Sequence, residues 1–294
     1  MKVAICMTGK SYLPEAFAYE SYLCQRGHIV ERIGFSDLWS EADAHIRFLG
    51  FDPKGSNRKY PGRLIHEYHS LSTGRRPKVK NFLKKLMNGR PDGRIFLSEA
   101  VAEGYSFADK VPYIYRDMGV DNLFFEAPQP SSKEFDIVYC GSLSRVGLIE
   151  VLVYFASAGY KVLVIGGASK EDRESLKSHK NIHVYGSAER EEIPSLLKLA
   201  VAGLNYTPNI YPFNIQTSTK VLEYCAAGLG VISNRYHWVK QFEKRRAANF
   251  LWFDAVPPSK EEFERFEFNI PHLRDLSWDS ILETCDFESF LSEK

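Results

Sequence analysis

Apolar residues in this chain gather into short runs of strand length, and the runs alternate with longer segments of helical period. KVAICM near the amino end reads as a buried strand, PEAFAYESYLCQRG as a helix closed by Gly27, and HIVERIGF as a second strand. AHIRFLGF, GRLIHEYH, RIFLSEAV and VPYIYRDMG read as further strands. The proline and serine interruption PQPSSK, from Pro128 to Lys133, is the best linker candidate. Beyond it the alternation restarts with DIVYCGSL, a helix through GLIEVLVYFASAG, the strand YKVLVIGG, a charged helix and the strand NIHVYG. It continues through EIPSLLKLA, VAGLNYT, a helix opening near Thr219 and the strand GVISN. Short apolar strands separated by helices make parallel sheets, because each crossover helix covers a sheet face. The expected fold class is α/β, with a Rossmann-like domain on each side of the linker.

Length and composition narrow the function. The 294 residues suffice for two domains with their own cores. Lys plus Arg number 38 against 37 for Asp plus Glu, so no global field points to nucleic acid. Cys6, Cys24, Cys140, Cys225 and Cys285 form no C-x-x-C pair, and four of them sit in apolar runs. That argues for a reducing compartment and against a zinc or disulfide framework. MKVAICMTGK is too short an apolar run for a signal peptide, and no run has the length of a membrane span. A cytoplasmic protein is expected.

Ligands of open parallel sheets bind beyond the carboxyl ends of the strands, where glycine turns let the backbone approach. The turns available are at Gly9, at Gly141 and Ser142, and at Gly166 and Gly167. Neither G-x-G-x-x-G nor G-x-x-x-x-G-K-[ST] is present, so a nucleotide would need another geometry. TSTKVLEYCAAGLGVIS, from Thr217 to Ser233, sets one Lys and one Glu at the start of an otherwise apolar helix. Thr217, Ser218 and Thr219 are N-cap types, and Gly228 is a C-terminal stop. Lys220 and Glu223 share a face with Ala227, away from Val221, Leu222, Cys225 and Ala226. They read either as a surface ion pair or as a reader of phosphate and vicinal hydroxyls.

DIVYCGSLSRVG, YKVLVIGGAS, NIHVYGSAEREEIPSLLKLAVAGLNYT, STKVLEYCAAGLGVIS and LSWDSILE resemble, in order, the carboxyl-terminal half of GT-B retaining glycosyltransferases of the GT4 type. MGVDNLFF resembles the segment that closes that family's amino-terminal domain. The resemblance implies two Rossmann-like domains facing each other across a cleft: an acceptor domain over 1–130 and a nucleotide-sugar domain over 131–274. A helix over 275–294 would return to the first. It implies transfer of a sugar from a nucleotide diphosphate sugar to a carbohydrate or lipid-linked glycan, with no metal and no cofactor beyond the donor. Glu223 matches the glutamate on the ribose hydroxyls, and Ser218 and Thr219 match positions at the diphosphate. Gly141, Ser142, Tyr185 and Gln216 complete the expected donor contacts.

The chain departs from the family twice. Ser142 stands where the family usually has an Arg, so Arg145 and Lys220 are expected to share the diphosphate charge. Ile215 stands where many relatives carry a Glu near the donor sugar, and Asn214 and Gln216 are the nearest polar substitutes. His69 falls at the strand-end histidine that faces the donor sugar in relatives; Arg145, Lys220 and His69 form the expected catalytic set. Two rivals remain, a nucleotide-sugar 2-epimerase of the same fold and a non-catalytic nucleotide-sugar-binding subunit.

Other motifs carry less. HEYH is not H-E-x-x-H, and on a strand His66 and His69 point to opposite faces, so zinc is not expected. GRRPKVKNFLKKLMNGR, from Gly74 to Arg90, holds seven cations and no acid, with Val79, Phe82, Leu83, Leu86 and Met87 on one helical face. It reads as a Rossmann helix packed on its sheet with a solvated basic side. The other reading is a peripheral contact with anionic lipid at the inner membrane face or with a lipid-diphosphate acceptor. RYHWVKQFEKRRAANFLWF interleaves aromatics with cations but ends in a strand-like run, so nucleic acid is not expected. The tail after Asp275 reads as one helix, with Trp278 in a packing role.

Overall fold

The computed structural model describes residues 1–7, 13–48 and 59–293. The expected turn at Gly9 lies outside them. Among the described residues two six-stranded sheets, parallel throughout, carry the fold. The first contains β1 (Lys2–Met7), β2 (Ile29–Gly34), β3 (Ala44–Phe48), β4 (Arg63–Tyr68), β5 (Gly93–Phe96) and β6 (Tyr113–Tyr115), in the order β2-β1-β3-β4-β5-β6. The second contains β7 (Phe135–Cys140), β8 (Val162–Ile165), β9 (Ile182–Gly186), β10 (Ala200–Asn205), β11 (Gly230–Asn234) and β12 (Leu251–Phe253), in the order β12-β11-β10-β7-β8-β9. Helices α1 (Pro14–Gln25), α2 (Pro77–Met87), α3 (Glu99–Tyr105), α4 (Asn122–Glu126), α5 (Leu148–Ser157) and α6 (Lys170–Lys177) lie among these strands. They are followed by α7 (Ile193–Leu197), α8 (Thr219–Ala226), α9 (His237–Arg245), α10 (Lys260–Arg265), α11 (Trp278–Thr284) and α12 (Phe287–Ser292).

Interior strands β3 and β8 are buried along their whole length, β3 with His45 and Arg47 among its buried residues, whereas edge strand β2 is mostly exposed. RIFLSEAV is only half strand. Ser98 accepts from the Val101 amide as an N-cap, so the chain leaves β5 and enters α3 there.

The chain divides into two compact units, one of residues 1–119 with 275–294 and one of residues 120–274. Residues 120–130 thus go with the second unit and not the first, ahead of the proline-rich stretch. Asp121 pairs with Arg190, Lys198 Nζ donates to the Ala127 carbonyl, and Lys133 Nζ donates to the Lys198 carbonyl at 2.7 Å. The tail is two helices and not one, broken at Asp286 in a left-handed conformation (φ 51°). Within the first unit Trp278 sets its ring edge to Tyr19 and Phe287 lies 4.4 Å from the Tyr19 centroid.

Candidate functional site

In the second unit, the carboxyl ends of β7 and β8 are drawn together by two glycines. Gly141 (φ 133°) and Gly166 (φ 144°) take conformations closed to other residues, and a Cβ on Gly166 would sit 2.1 Å from the Gly141 carbonyl oxygen. This close approach leaves room for α8 to arrive above Gly141. Tyr224 ties α8 down: its hydroxyl accepts from the Cys140 amide at 3.1 Å, and its ring lies where a Cβ on Gly203 would be. The glycine in β10 is therefore the socket for the motif tyrosine.

α8 delivers Lys220 to this floor. Its Nζ lies 5.4 Å from the Tyr139 ring centroid and would be 2.8 Å from a Cβ on Gly141. The surface ion pair with Glu223, one of the two readings of this helix, does not form, and neither side chain has an ion-pair partner among the described residues. Burial lowers the Lys220 pKa, Arg145 lowers it further, and Glu223 pulls it back. Burial pushes the Glu223 carboxyl up to about 7, with Lys220 opposing. Burial pushes the Cys140 thiol up to about 12, with the Glu223 carboxylate adding to the rise.

Arg145 comes from the turn after β7. It donates to the Tyr206 carbonyl and, at 3.0 Å, to Thr207 Oγ1. The Thr207 backbone is held by Asn234, whose amide donates to the Thr207 carbonyl at 2.7 Å while its oxygen accepts from the Thr207 amide at 2.9 Å. Arg145, Lys220, Ser142, Tyr139, Tyr206 and Phe213 line a cavity of about 570 Å³. Two cations thus face one space, and among the described residues no carboxylate lines it.

The helix start is open in a second sense. Ser218 occupies the N-cap, yet makes no side-chain cap; its hydroxyl donates instead to Asn205 Oδ1 at 3.0 Å. Asn205 is fully buried and donates from the same amide to Ser233 and Tyr236. Asn205 thus engages the Ser218 hydroxyl, and the first amides of α8 are left without a side-chain cap. Thr219 is the first helical residue and half-buried. In the preceding loop, Gln216 Nε2 and Asn214 Oδ1 are buried with no hydrogen-bond partner among the described residues. Such atoms cost about 1–3 kcal/mol each unless something fills the site.

Tyr185 lies on edge strand β9, exposed, and does not line this cavity. His69 belongs to the first unit, just past the carboxyl end of β4. Around it lies a buried network that sequence reading missed. Arg116 reaches Glu67 at 2.5 Å and Glu15 at 3.7 Å, and the Tyr19 hydroxyl donates to Glu67 at 2.8 Å. Glu15 Oε2 and His69 Nδ1 are buried without a hydrogen-bond partner among the described residues. Burial lowers the His69 pKa and Glu15 opposes it. Among the described residues no group of three or more metal-ligating side chains occurs. Asn205, Asn234, Tyr224 and Arg116 were also missed in the sequence. For Asn205 and Asn234 the one visible signal is a polar residue at the end of an apolar strand, as in AGLN and VISN.

No protein-family model and no curated protein matches this chain. Solved structures do. The chain is similar to AviGT4, a glycosyltransferase involved in avilamycin A biosynthesis, at 14% identity and a TM-score of 0.64, covering 99% of this chain and 97% of that one. It is similar to Anabaena HepE in complex with UDP and glucose, at 12% identity and a TM-score of 0.62, with 99% and 97% covered. It is also similar to the UDP-GlcNAc 2-epimerase of Methanocaldococcus jannaschii, at 11% identity and a TM-score of 0.55, with 98% and 100% covered. The fold is that of the GT-B nucleotide-sugar enzymes, with two Rossmann-like domains.

Proposed function

We propose that this GT-B chain is a glycosyltransferase that takes a nucleotide diphosphate sugar as donor and passes the sugar to a carbohydrate or lipid-linked glycan with retention. The observation that carries the reading is the convergence of Arg145 and Lys220 on one cavity, beside an uncapped helix start, with no carboxylate among the described residues that line it. Two like charges held together repel, and a diphosphate between them relieves both. The helix amides add fixed positive potential. Glu223, one turn along, is placed for the ribose hydroxyls, since a carboxylate accepts two hydroxyl bonds at once. HepE, seen with UDP and glucose, shows that this fold accommodates such a ligand.

In the reaction the bond from the anomeric carbon to the diphosphate oxygen breaks and a bond to the acceptor oxygen forms. The acceptor proton passes to the departing phosphate. Negative charge on the diphosphate grows as the bond breaks, so Arg145 and Lys220 bind the transition state more tightly than the donor. Asn214 and Gln216 have unsatisfied amide atoms to offer sugar hydroxyls.

One observation favours a second reading, the 2-epimerase. Glu15 and His69 leave an unpartnered carboxylate oxygen and ring nitrogen in the first unit, an acid–base pair in kind. A thermal-shift panel of UDP, GDP, TDP and CMP tests the site, because a ligand bound only by the folded state raises apparent stability. Incubation with the sugar donors in D2O then separates the reactions. Transfer or slow hydrolysis without deuterium in the sugar supports the glycosyltransferase. Deuterium at the sugar's second carbon establishes the epimerase. Binding without either leaves a non-catalytic subunit.

A further inference from the structure

Helix α2 is turned the opposite way from its expected packing. Of its residues only Asn81 is buried, and its amide oxygen accepts from the Ser72 backbone at 2.9 Å. Val79, Phe82, Leu83, Leu86 and Met87, the continuous apolar stripe, are 51%, 57%, 44%, 63% and 41% exposed. A lone exposed leucine means nothing, but five contiguous large apolar side chains on one helix face mark a surface that meets something. The helical period sets lysines on both flanks of the stripe, Lys80 and Lys84 on one side and Lys78 and Lys85 on the other. Arg75, Arg76 and Lys78 are exposed and have no ion-pair partner among the described residues. The segment from Gly74 to Arg90 carries seven cations and no acid.

We propose that α2 is a membrane-docking helix, which lies flat in the headgroup region of an anionic bilayer with its apolar stripe towards the acyl chains. The physical requirements of such a helix are an apolar face, cations along its borders and a length too short to cross, and α2 has all three. At 11 residues it is far shorter than a span, and no described helix is long and apolar enough to cross a membrane. The flanking lysine and arginine stems can follow the apolar surface while their charges stay at headgroup phosphates. A hollow of about 520 Å³ lined by Ser70, Thr73, Lys80, Leu83 and Lys84 opens beside the stripe, within reach of a headgroup. Charge argues against a second copy as occupant. An isologous pairing through α2 would set seven cations against seven with no acid between them.

The proposal does not depend on the sugar chemistry, and its test reads binding alone. The full chain is sedimented with vesicles of phosphatidylcholine and with vesicles of equal parts phosphatidylcholine and phosphatidylglycerol. Wild-type protein should bind the anionic vesicles and release them as salt rises. Arg75→Gln, Arg76→Gln and Lys78→Gln together should weaken binding by about tenfold to a hundredfold. Phe82→Gln with Leu86→Gln changes only exposed side chains, so it should leave the fold intact by circular dichroism while vesicle binding is lost. Failure of wild-type protein to bind anionic vesicles at low salt would overturn the proposal. So would binding that ignores the Phe82 and Leu86 changes, or a dimer in sedimentation velocity that those changes dissolve. Tight capture of polyglutamate in place of vesicles would give the surface to an acidic protein.

Discussion

In the proposed reading Glu223 and Arg145 have different tasks, and each can be tested by substitution. Burial holds the Glu223 carboxyl up near 7 in the free protein. Its folded pKa lies above the ordinary carboxylate value of 4.5, so its contribution to stability is full below that value and is lost as pH rises through about 7. Ligand binding runs the other way if the ionised carboxylate accepts ribose hydroxyls. Affinity for a nucleoside diphosphate should therefore rise through pH 7, and Glu223→Gln should flatten that part of the rise and weaken binding by about tenfold to a hundredfold. Calorimetry across the pH range checks it; unchanged affinity in the folded variant removes Glu223 from the ribose. Arg145 is fixed by the Tyr206 carbonyl and Thr207, which preorganises its charge. Arg145→Ala should lower turnover by ~10²-fold while donor binding weakens less, and Arg145→Lys should recover only part. Normal turnover in Arg145→Ala, set beside donor calorimetry, would rule out the clamp.

At the scale of elements, α8 is placed by packing more than by its own caps. Its N-cap hydroxyl is turned to Asn205, and its registration rests on Tyr224 filling the space over Gly203. Gly203→Ala would set a methyl about where the ring lies, 2.1 Å from Tyr224 Cδ2. It should cost on the order of 1–3 kcal/mol by overpacking and should shift Lys220 off Gly141, so nucleotide affinity falls with stability. Tyr224→Phe keeps the ring and removes only the hydroxyl, which accepts from the Cys140 amide and donates to the Leu204 carbonyl at 3.4 Å. Its loss should be smaller, about 1 kcal/mol, with affinity nearly kept. Melting temperatures and nucleotide binding for the pair decide the matter. Equal effects would mean that the hydroxyl, not the ring, seats the helix.

At the scale of the molecule, the chain closes its first unit with its last residues. Phe287 is fully buried against Tyr19, and Arg63 donates to the Phe290 carbonyl at 2.7 Å. Tyr19 also holds Glu67, so the tail supports the buried network beneath His69. Phe287→Ala should cost about 3–5 kcal/mol. Amide exchange should quicken in β1 and β4 and stay slow in β7 and β10, which belong to the second unit. Equal quickening in both sheets would show that the units do not open separately.

Several features were legible without coordinates because they are local. Strand alternation, Gly27 and Gly228 as helix stops with positive φ, and the helix carrying Lys220 and Glu223 all follow from period and turn chemistry. The anion site proposed at that helix start rests on local facts too, cap residue types and a single lysine. What folding alone decided was orientation and partnership. Periodicity says that Val79, Phe82 and Leu86 share a face, but not whether the sheet or the solvent receives it; the Asn81 to Ser72 bond turns that face outward. Ser218 is a good cap by type, yet a buried asparagine on β10 takes its hydroxyl. Arg145 and Lys220 meet only because parallel strands deliver their carboxyl ends to one edge of the sheet. The buried contacts of Glu15, Glu67 and Arg116 likewise join three distant segments, which no local pattern in the chain encodes.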